Sequence, residues 1–442
     1  MKKLTDLSVC EVEIAFRACR LRWPYRIGNI VIECFPIAMA KIAVELGDGR
    51  RATGYGSTPL SVGWAWPDVK LDWHEREAHM TDACRKLAGA WQQVTASGHP
   101  LELGYDFLEE RLAAAVPGLP ELAALVCNSP FDLALHDAYG RAIGCSSFAT
   151  YQVPYLSRDL ADFFGDDALC MTYPGRYLVA APPARLPVWH SVGGLDALTA
   201  AELTGSEPAD GYPVTLEEWI RRDGLDCLKF KLVGNDFDWD VKRTLGIGEL
   251  ARKYGVRHLS PDFNCTATGV DYVNQVLDEV KGQDAEAYGR IDYVEQPFGY
   301  DFIERGVDVS SIAARKPLYL DESAHDWRCV ERGRQLGWTG VALKVCKTLT
   351  GALLSGCYAK SRGMGIMVQD LTNPAEAMIP HVNFAARIGS TLGVECNSPQ
   401  FCPAVSQEFE ARHPGLYRRR GGVIELDTLG PFGLGYLPED VN

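Results

Sequence analysis

Seven polar side chains stand at similar intervals in the second half of the chain: Lys231, Asp262, Glu295, Asp321, Lys344, Asp370 and Glu395, separated by 31, 33, 26, 23, 26 and 25 positions. Each closes a short apolar run, and each interval holds one strand and one helix. In a barrel of parallel strands such ends converge on one mouth, so these residues are expected to share a pocket. Asp262, Glu295 and Asp321 come from consecutive runs and offer hard oxygen donors, which predicts a Mg²⁺ site, with Mn²⁺ also possible. No histidine or cysteine occupies a matching end, which disfavours zinc or redox iron. A single such carboxylate reads best as a helix cap; three in register read as ligands.

Lys229 and Lys231 flank Phe230, so in a strand both lysines point to one face. The motif alone is common and fits a solvated edge equally well. Two ammonium groups beside a metal cation disfavour each other's protonation, so Lys231 is expected to lose its proton near neutral pH and act as a base. Lys344 ends the otherwise apolar run GVALKV, roughly opposite Lys231 in an eight-stranded ring, and is expected to serve the other face of a substrate. Schiff-base formation is the competing use of a buried barrel lysine, and the carboxylates weigh against it. Metal and lysines together imply removal of the proton beside a carboxylate, the cation stabilising the enolate. Reprotonation gives racemisation or epimerisation; a cycloisomerase or dehydratase is the alternative, and a catalytically idle carboxylate-binding protein is the alternative outside enzymology.

The elements that must position these residues are legible as alternating patterns. Eight runs read as barrel strands: Leu186–Ser191, Cys227–Leu232, Val256–Ser260, Ile291–Glu295, Pro317–Asp321, Gly340–Val345, Ile366–Gln369 and Leu392–Glu395. Ahead of them, Glu11–Arg22 and Met39–Leu46 alternate as antiparallel strands, and three and four spacing predicts helices over Asp72–Ser97, Tyr105–Ala115 and Ser129–Ala142. The segments Tyr25–Ile30 and Tyr55–Trp66 read as loops able to cover a pocket. The predicted fold is therefore α/β: an N-terminal α+β capping domain (1–145), an insertion or linker (146–183), a TIM-type (β/α) barrel (184–405) and a C-terminal segment (406–442).

Net charge is -14 with few clustered basic residues, so nucleic acid is not an expected partner. The run Arg418, Arg419, Arg420 reads as a solvated turn. The fourteen cysteines show no CxxC pairing and are expected as reduced thiols. Neither a signal-type apolar run nor an 18-residue apolar stretch is present, so a soluble cytoplasmic protein without membrane contact is expected. A homo-oligomer acting on a small carboxylate completes the expectation.

LKFKL, PDFN, VEQP, LDES and ALKVCK, in this order and spacing, resemble the enolase superfamily and within it the muconate lactonizing enzyme subgroup of the mandelate racemase/muconate lactonizing enzyme family. SPFDLALHDAYGRAIG resembles that family's helix before the barrel, and GPFGLGYL its closing segment, which returns to the cap. The resemblance implies a modified enolase barrel, Mg²⁺ on Asp262, Glu295 and Asp321, and Lys231 and Lys344 as the acid/base pair. It also implies that Lys229 lowers the basicity of Lys231 and touches the substrate carboxylate, with Asn264 and Glu322 supporting the ligands. IMVQD lacks the histidine of the mandelate racemase branch. The eighth strand carries Glu395, Cys396 and Asn397 where dipeptide epimerases have Asp-x-Asp, which argues against dipeptides. Gln369 and Asp370 replace small residues and imply a polar pocket. Asp370, Glu395 and Asn397 are the substrate-binding candidates, although for Glu395 a helix-capping role fits nearly as well.

Overall fold

The structure, a computed structural model, describes residues 3–67, 70–390 and 392–441. The first two residues of the expected cap and the last of the C-terminal segment lie outside the described residues. Alternation in the first sixty positions produces a three-stranded antiparallel sheet, β1 (Leu7–Ile27), β2 (Ile30–Leu46) and β3 (Arg51–Pro59). β1 and β2 run further than their pattern predicted. Tyr25–Ile30, expected as a loop, is the tip of their hairpin, with Tyr25 opposite Ile32 and Ile27 opposite Ile30. The cause is burial: Tyr25, Ile27 and Ile32 join a core cluster that includes Leu371 and Phe401 of the barrel, so the tip has an apolar face to extend along.

Five helices complete the cap: α1 (Val62–Ala65), α2 (Trp73–Gln92), α3 (Pro100–Glu110), α4 (Leu112–Ala115) and α5 (Glu121–Ile143). α5 is buried on nearly every side because it lies between the cap sheet and the barrel. Toward the barrel, Ser129 Oγ donates to the Val345 carbonyl at 2.7 Å, and Asp132 accepts the Thr350 N–H at 2.9 Å. Toward the sheet the backbones nearly touch at Gly54, where a Cβ would stand 2.1 Å from Ala138 N and 2.2 Å from Ala134 O. Gly54→Ala is therefore expected to destabilise the protein by about 1–3 kcal/mol or more, read from urea denaturation, because two backbones cannot yield as a side chain can.

All eight predicted barrel runs are parallel strands: β4 (Arg185–Val192), β5 (Cys227–Lys231), β6 (His258–Asp262), β7 (Val294–Glu295), β8 (Leu318–Leu320), β9 (Gly340–Leu343), β10 (Gly365–Val368) and β11 (Val394–Glu395). They pair in chain order, and β11 closes on β4. Period two sorts each strand: Leu228 and Phe230 of β5 face outward into the main core, whereas Cys227 joins the inner aromatic cluster. That cluster, Trp189, Cys227, Tyr293, Tyr319 and Met367, floors the barrel, with Tyr293 and Tyr319 stacked at 4.4 Å. Gly340 gives Tyr319 its place, since a Cβ there would lie 2.2 Å from the ring.

Residues 146–183, expected as an insertion or linker, form short turns and one brief helix, α6 (Leu160–Phe164), which explains their lack of period. They are packed rather than detached: Phe148, Tyr151, Leu156, Leu160 and Phe163 are part of the barrel's main core. In the C-terminal segment, β12 (Val423–Glu425) pairs antiparallel with β4, and Leu434 N–H reaches Asp137 of α5 at 2.8 Å. The solvated reading of Arg418–Arg420 is corrected for its middle member. Arg419 is 1% exposed because Asp223, itself buried, pairs with it at 2.8 Å. All fourteen cysteines are free. No helix among the described residues is long and apolar enough to cross a membrane.

Candidate active site

Charged side chains line the barrel above its aromatic floor. Lys229 and Lys231 rise from one face of β5, and pairing in register sets Lys231 beside Asp262 and Asp262 beside Glu295. Asp321 follows β8 and Lys344 follows β9. Lys231 and Lys344 thus lie four strands apart in a ring of eight, on opposite sides of the mouth. Both are buried, and both border a cavity of about 30 Å³, room for a water or two. The same cavity is bordered by Lys229, Asp370, Glu395 and Asn397, and by Tyr25, Ile27 and Trp64 from the cap.

Lys229 is the hub. Its ammonium lies 2.6 Å from Glu395, 3.0 Å from Glu295, 3.1 Å from Gln369 Oε1 and 3.6 Å from Asp262. Lys231 contacts Asp262 at 2.5 Å, and Lys344 contacts Asp321 at 2.9 Å. The expectation that crowding frees a lysine proton near neutrality supposes a metal cation beside the pair; among the protein's own groups the balance falls the other way. Burial is the largest single influence and pulls Lys231 and Lys344 down, but the surrounding acids together, Asp262 foremost for Lys231 and Asp321 foremost for Lys344, hold both above the ordinary lysine range. The neighbouring lysine lowers each by less than its carboxylate raises it.

Asn264 and Glu322, expected to support the ligands, are hydrogen-bonded to each other. Asn264 N–H donates to Asp262 at 2.9 Å, and its side-chain amide donates to Glu322 at 2.8 Å. Burial first, then the Asp321 charge, raises Glu322 to about 7. Glu395 accepts from the Asn397 amide at 2.9 Å besides pairing with Lys229, so it caps no helix here. Asp370 accepts the backbone N–H of Asn373 and Asn397.

Three participants carry no strand-end signal. Trp64 of α1 donates to Glu322 at 3.0 Å and lays its ring 4.7 Å from the Lys344 ammonium, a cation–π contact. Tyr25 hydrogen-bonds Ser191 at 2.7 Å. Lys347 donates to the Asp321 carbonyl at 2.8 Å. Trp64 and Tyr25 fall inside the two segments read as pocket covers, and Lys347 inside ALKVCK; the segments were visible, the contacts were not.

Among the described residues no three Asp, Glu, His or Cys side chains are arranged to hold a metal ion. An ion cage of Asp262, Glu295 and Asp321 is therefore not preformed: the lysines are paired into the carboxylates. The chemistry of the set nonetheless suits a hard divalent cation. Both Asp321 carboxylate oxygens are buried and answered only by ammonium groups, Lys344 at 2.9 Å and Lys347 at 3.6 Å, with no well-aligned hydrogen bond. Burial, with Asp262 and Asp321 crowded beside it, pushes Glu295 well above the usual carboxylate range. Six buried carboxylates, counting Glu322, Asp370 and Glu395, face four buried lysines, counting Lys347, so acids outnumber bases in the site.

No protein-family model and no curated protein sequence matches the chain. Solved structures do. A dipeptide epimerase from Enterococcus faecalis V583, complexed with Mg and L-Leu-L-Tyr, superposes with a TM-score of 0.66 at 15% identity over 97% of this chain and 99% of that one. A mandelate racemase/muconate lactonizing protein from Herpetosiphon aurantiacus gives 0.64 at 19% over 97% and 98%. Muconate lactonizing enzyme from Pseudomonas fluorescens, complexed with muconolactone, gives 0.63 at 14% over 98% and 97%. The likeness extends over cap and barrel alike, and it is one of fold: the chain has the enolase-superfamily fold of the mandelate racemase and muconate lactonizing enzymes.

Proposed function

We propose that this protein is an enzyme that removes the proton α to the carboxylate of a small substrate and returns it, racemising or epimerising that centre. The observation that carries the reading is the pair of buried lysines, Lys231 and Lys344, on opposite sides of one cavity. A planar, deprotonated carbon between them is reached from either face, so one lysine takes the proton and the other delivers one. Mg²⁺ held by Asp262, Glu295 and Asp321 would supply positive charge to the substrate carboxylate, without which the dianion is too costly. Asp262 and Asp321 are the foremost of the acids that hold the two lysines protonated, so a cation drawing on their charge would ease release of a lysine proton. Lys229, ringed by acceptors, holds charge and position. The neighbours that are epimerases or a lactonizing enzyme support this class of chemistry.

The test is incubation with Mg²⁺ in D₂O of a panel of N-acyl amino acids, dipeptides and acid sugars. Deuterium at the α-carbon with inverted configuration is the expected result. Deuterium-free recovery across the panel counts against it, and a product lacking a neighbouring group would move the reading to a dehydratase. Mg²⁺ is further expected to raise Tm, by the equivalent of about 2.7 kcal/mol at a hundredfold excess over Kd, and EDTA to reverse it. Asp321→Asn should abolish the Mg²⁺ shift.

A further inference from the structure

The segment leading into β12 gathers charge of the sign opposite to the chain's net -14. Arg418 and Arg420, both with more than half of the side chain exposed, border a cavity of about 120 Å³ together with Arg222 of α7 (Leu216–Asp223). Glu410 is the one acid on its lining among the described residues, and it pairs with Arg418. Arg222 and Arg420 share Asp223, at 2.9 and 3.8 Å, but that carboxylate already answers the buried Arg419 at 2.8 Å. Four guanidiniums thus meet two carboxylates. Other acids beside the lining tyrosines are taken: Asp210 pairs with Arg22 at 2.6 Å, Glu376 with Arg17 at 2.6 Å and Asp440 with Arg412 at 2.8 Å. A cleft lined by one sign of charge draws in the opposite sign, here against the field of the rest of the chain.

The guanidiniums are held in place. Arg222 lies 4.4 Å from the Trp219 ring and 5.4 Å from the Tyr212 ring, and Arg420 donates to the Arg419 carbonyl at 2.6 Å. Stacking on a ring leaves the N–H groups at the guanidinium edge for an acceptor, and their fork matches two oxygens of one anion. The cavity equals the liquid volume of about four waters, enough for a phosphate-sized group. Its wall also reaches the loop that follows β10. Ser406 accepts the Ala375 N–H at 2.9 Å and Tyr417 donates to the Ala375 carbonyl at 2.5 Å. Ala375 has φ 48°, in the left-handed region that disfavours a side chain, so this loop depends on being gripped. We propose that Arg222, Arg418 and Arg420 form a binding site for a small dianionic oxyanion, a phosphate monoester or a dicarboxylate, and that its occupant steadies the Ala375 loop. The site shares no lining residue with the cavity between Lys231 and Lys344, so it stands whatever reaction takes place there.

Calorimetric titration of the full chain at constant ionic strength tests it, with methyl phosphate and glutarate against acetate. The better dianion should saturate one site and bind about tenfold or more tighter than acetate, and which of the two it is tells phosphate ester from dicarboxylate. Arg418→Gln combined with Arg420→Gln should weaken that binding about tenfold or more, whereas Arg305→Gln, which removes an exposed arginine elsewhere, should leave it within about twofold. Hydrogen exchange over residues 371–378 should slow when the site is filled. No saturable binding by either dianion overturns the site, as does binding that the double variant keeps at full strength. Binding with unchanged exchange over 371–378 overturns the hold on the Ala375 loop. Should the double variant fail to fold, the dianion preference and the slowed exchange in the unsubstituted chain still decide the matter.

Discussion

Replacing Lys344 by alanine is expected to lower inversion of any substrate the protein accepts by about 10²- to 10⁴-fold, and replacing Lys231 by alanine to do the same. What separates this result from simple damage is its stereochemistry. With Lys344 gone, Lys231 still meets one face of the α-carbon, so Lys344→Ala should continue to exchange deuterium into one stereoisomer while losing the other. Lys231→Ala should show the opposite choice. NMR of each isomer recovered from D₂O reads both outcomes, and equal loss of exchange from both isomers in either variant would contradict the two-sided arrangement. The cavity between the lysines is bordered on the cap side by the hairpin tip carrying Tyr25 and Ile27 and by α1 carrying Trp64.

That arrangement was readable in part. The alternation of Cys227, Lys229 and Lys231 against Leu228 and Phe230 is a local property of a strand, and it fixed the inward face before any contact was known. The intervals between strand ends did the same for Asp262, Glu295, Asp321 and Lys344, because closing a barrel turns sequence order into spatial order. The charge state of the lysines was not readable. Whether Lys231 is pulled down by Lys229 or held up by Asp262 depends on distances of a few ångströms between side chains from different strands. Trp64 and Tyr25 were hidden for a related reason, since they reach the barrel from the cap through docking that no pattern within β1 or α1 encodes. Residues 146–183 concealed a packed strap because short turns have no period to detect.

Asp223→Ala is expected to cost about 3–5 kcal/mol of stability, measured by denaturant unfolding, because it strands a charge the chain has buried. The partner is Arg419, which lies 2.8 Å from Asp223, stacks 5.1 Å from the Trp219 ring and reaches the carbonyl of Cys396. Asp223 itself has two further arginines, Arg222 at 2.9 Å and Arg420 at 3.8 Å. Removing Arg419 therefore leaves the acid partly answered by half-exposed cations, so Arg419→Ala should cost less than Asp223→Ala. A run of three arginines near a C-terminus reads as surface only if each is considered alone; one buried aspartate on the helix before β5 changes the meaning of the middle one. The double variant Asp223→Leu with Arg419→Met should recover most of the loss, since two apolar side chains of similar bulk need no counter-charge. Recovery would show the pair to be mutual compensation, while a double variant as unstable as Asp223→Ala would mean that Arg419 is needed for its bond to Cys396, the residue that follows Glu395 at the mouth of the barrel.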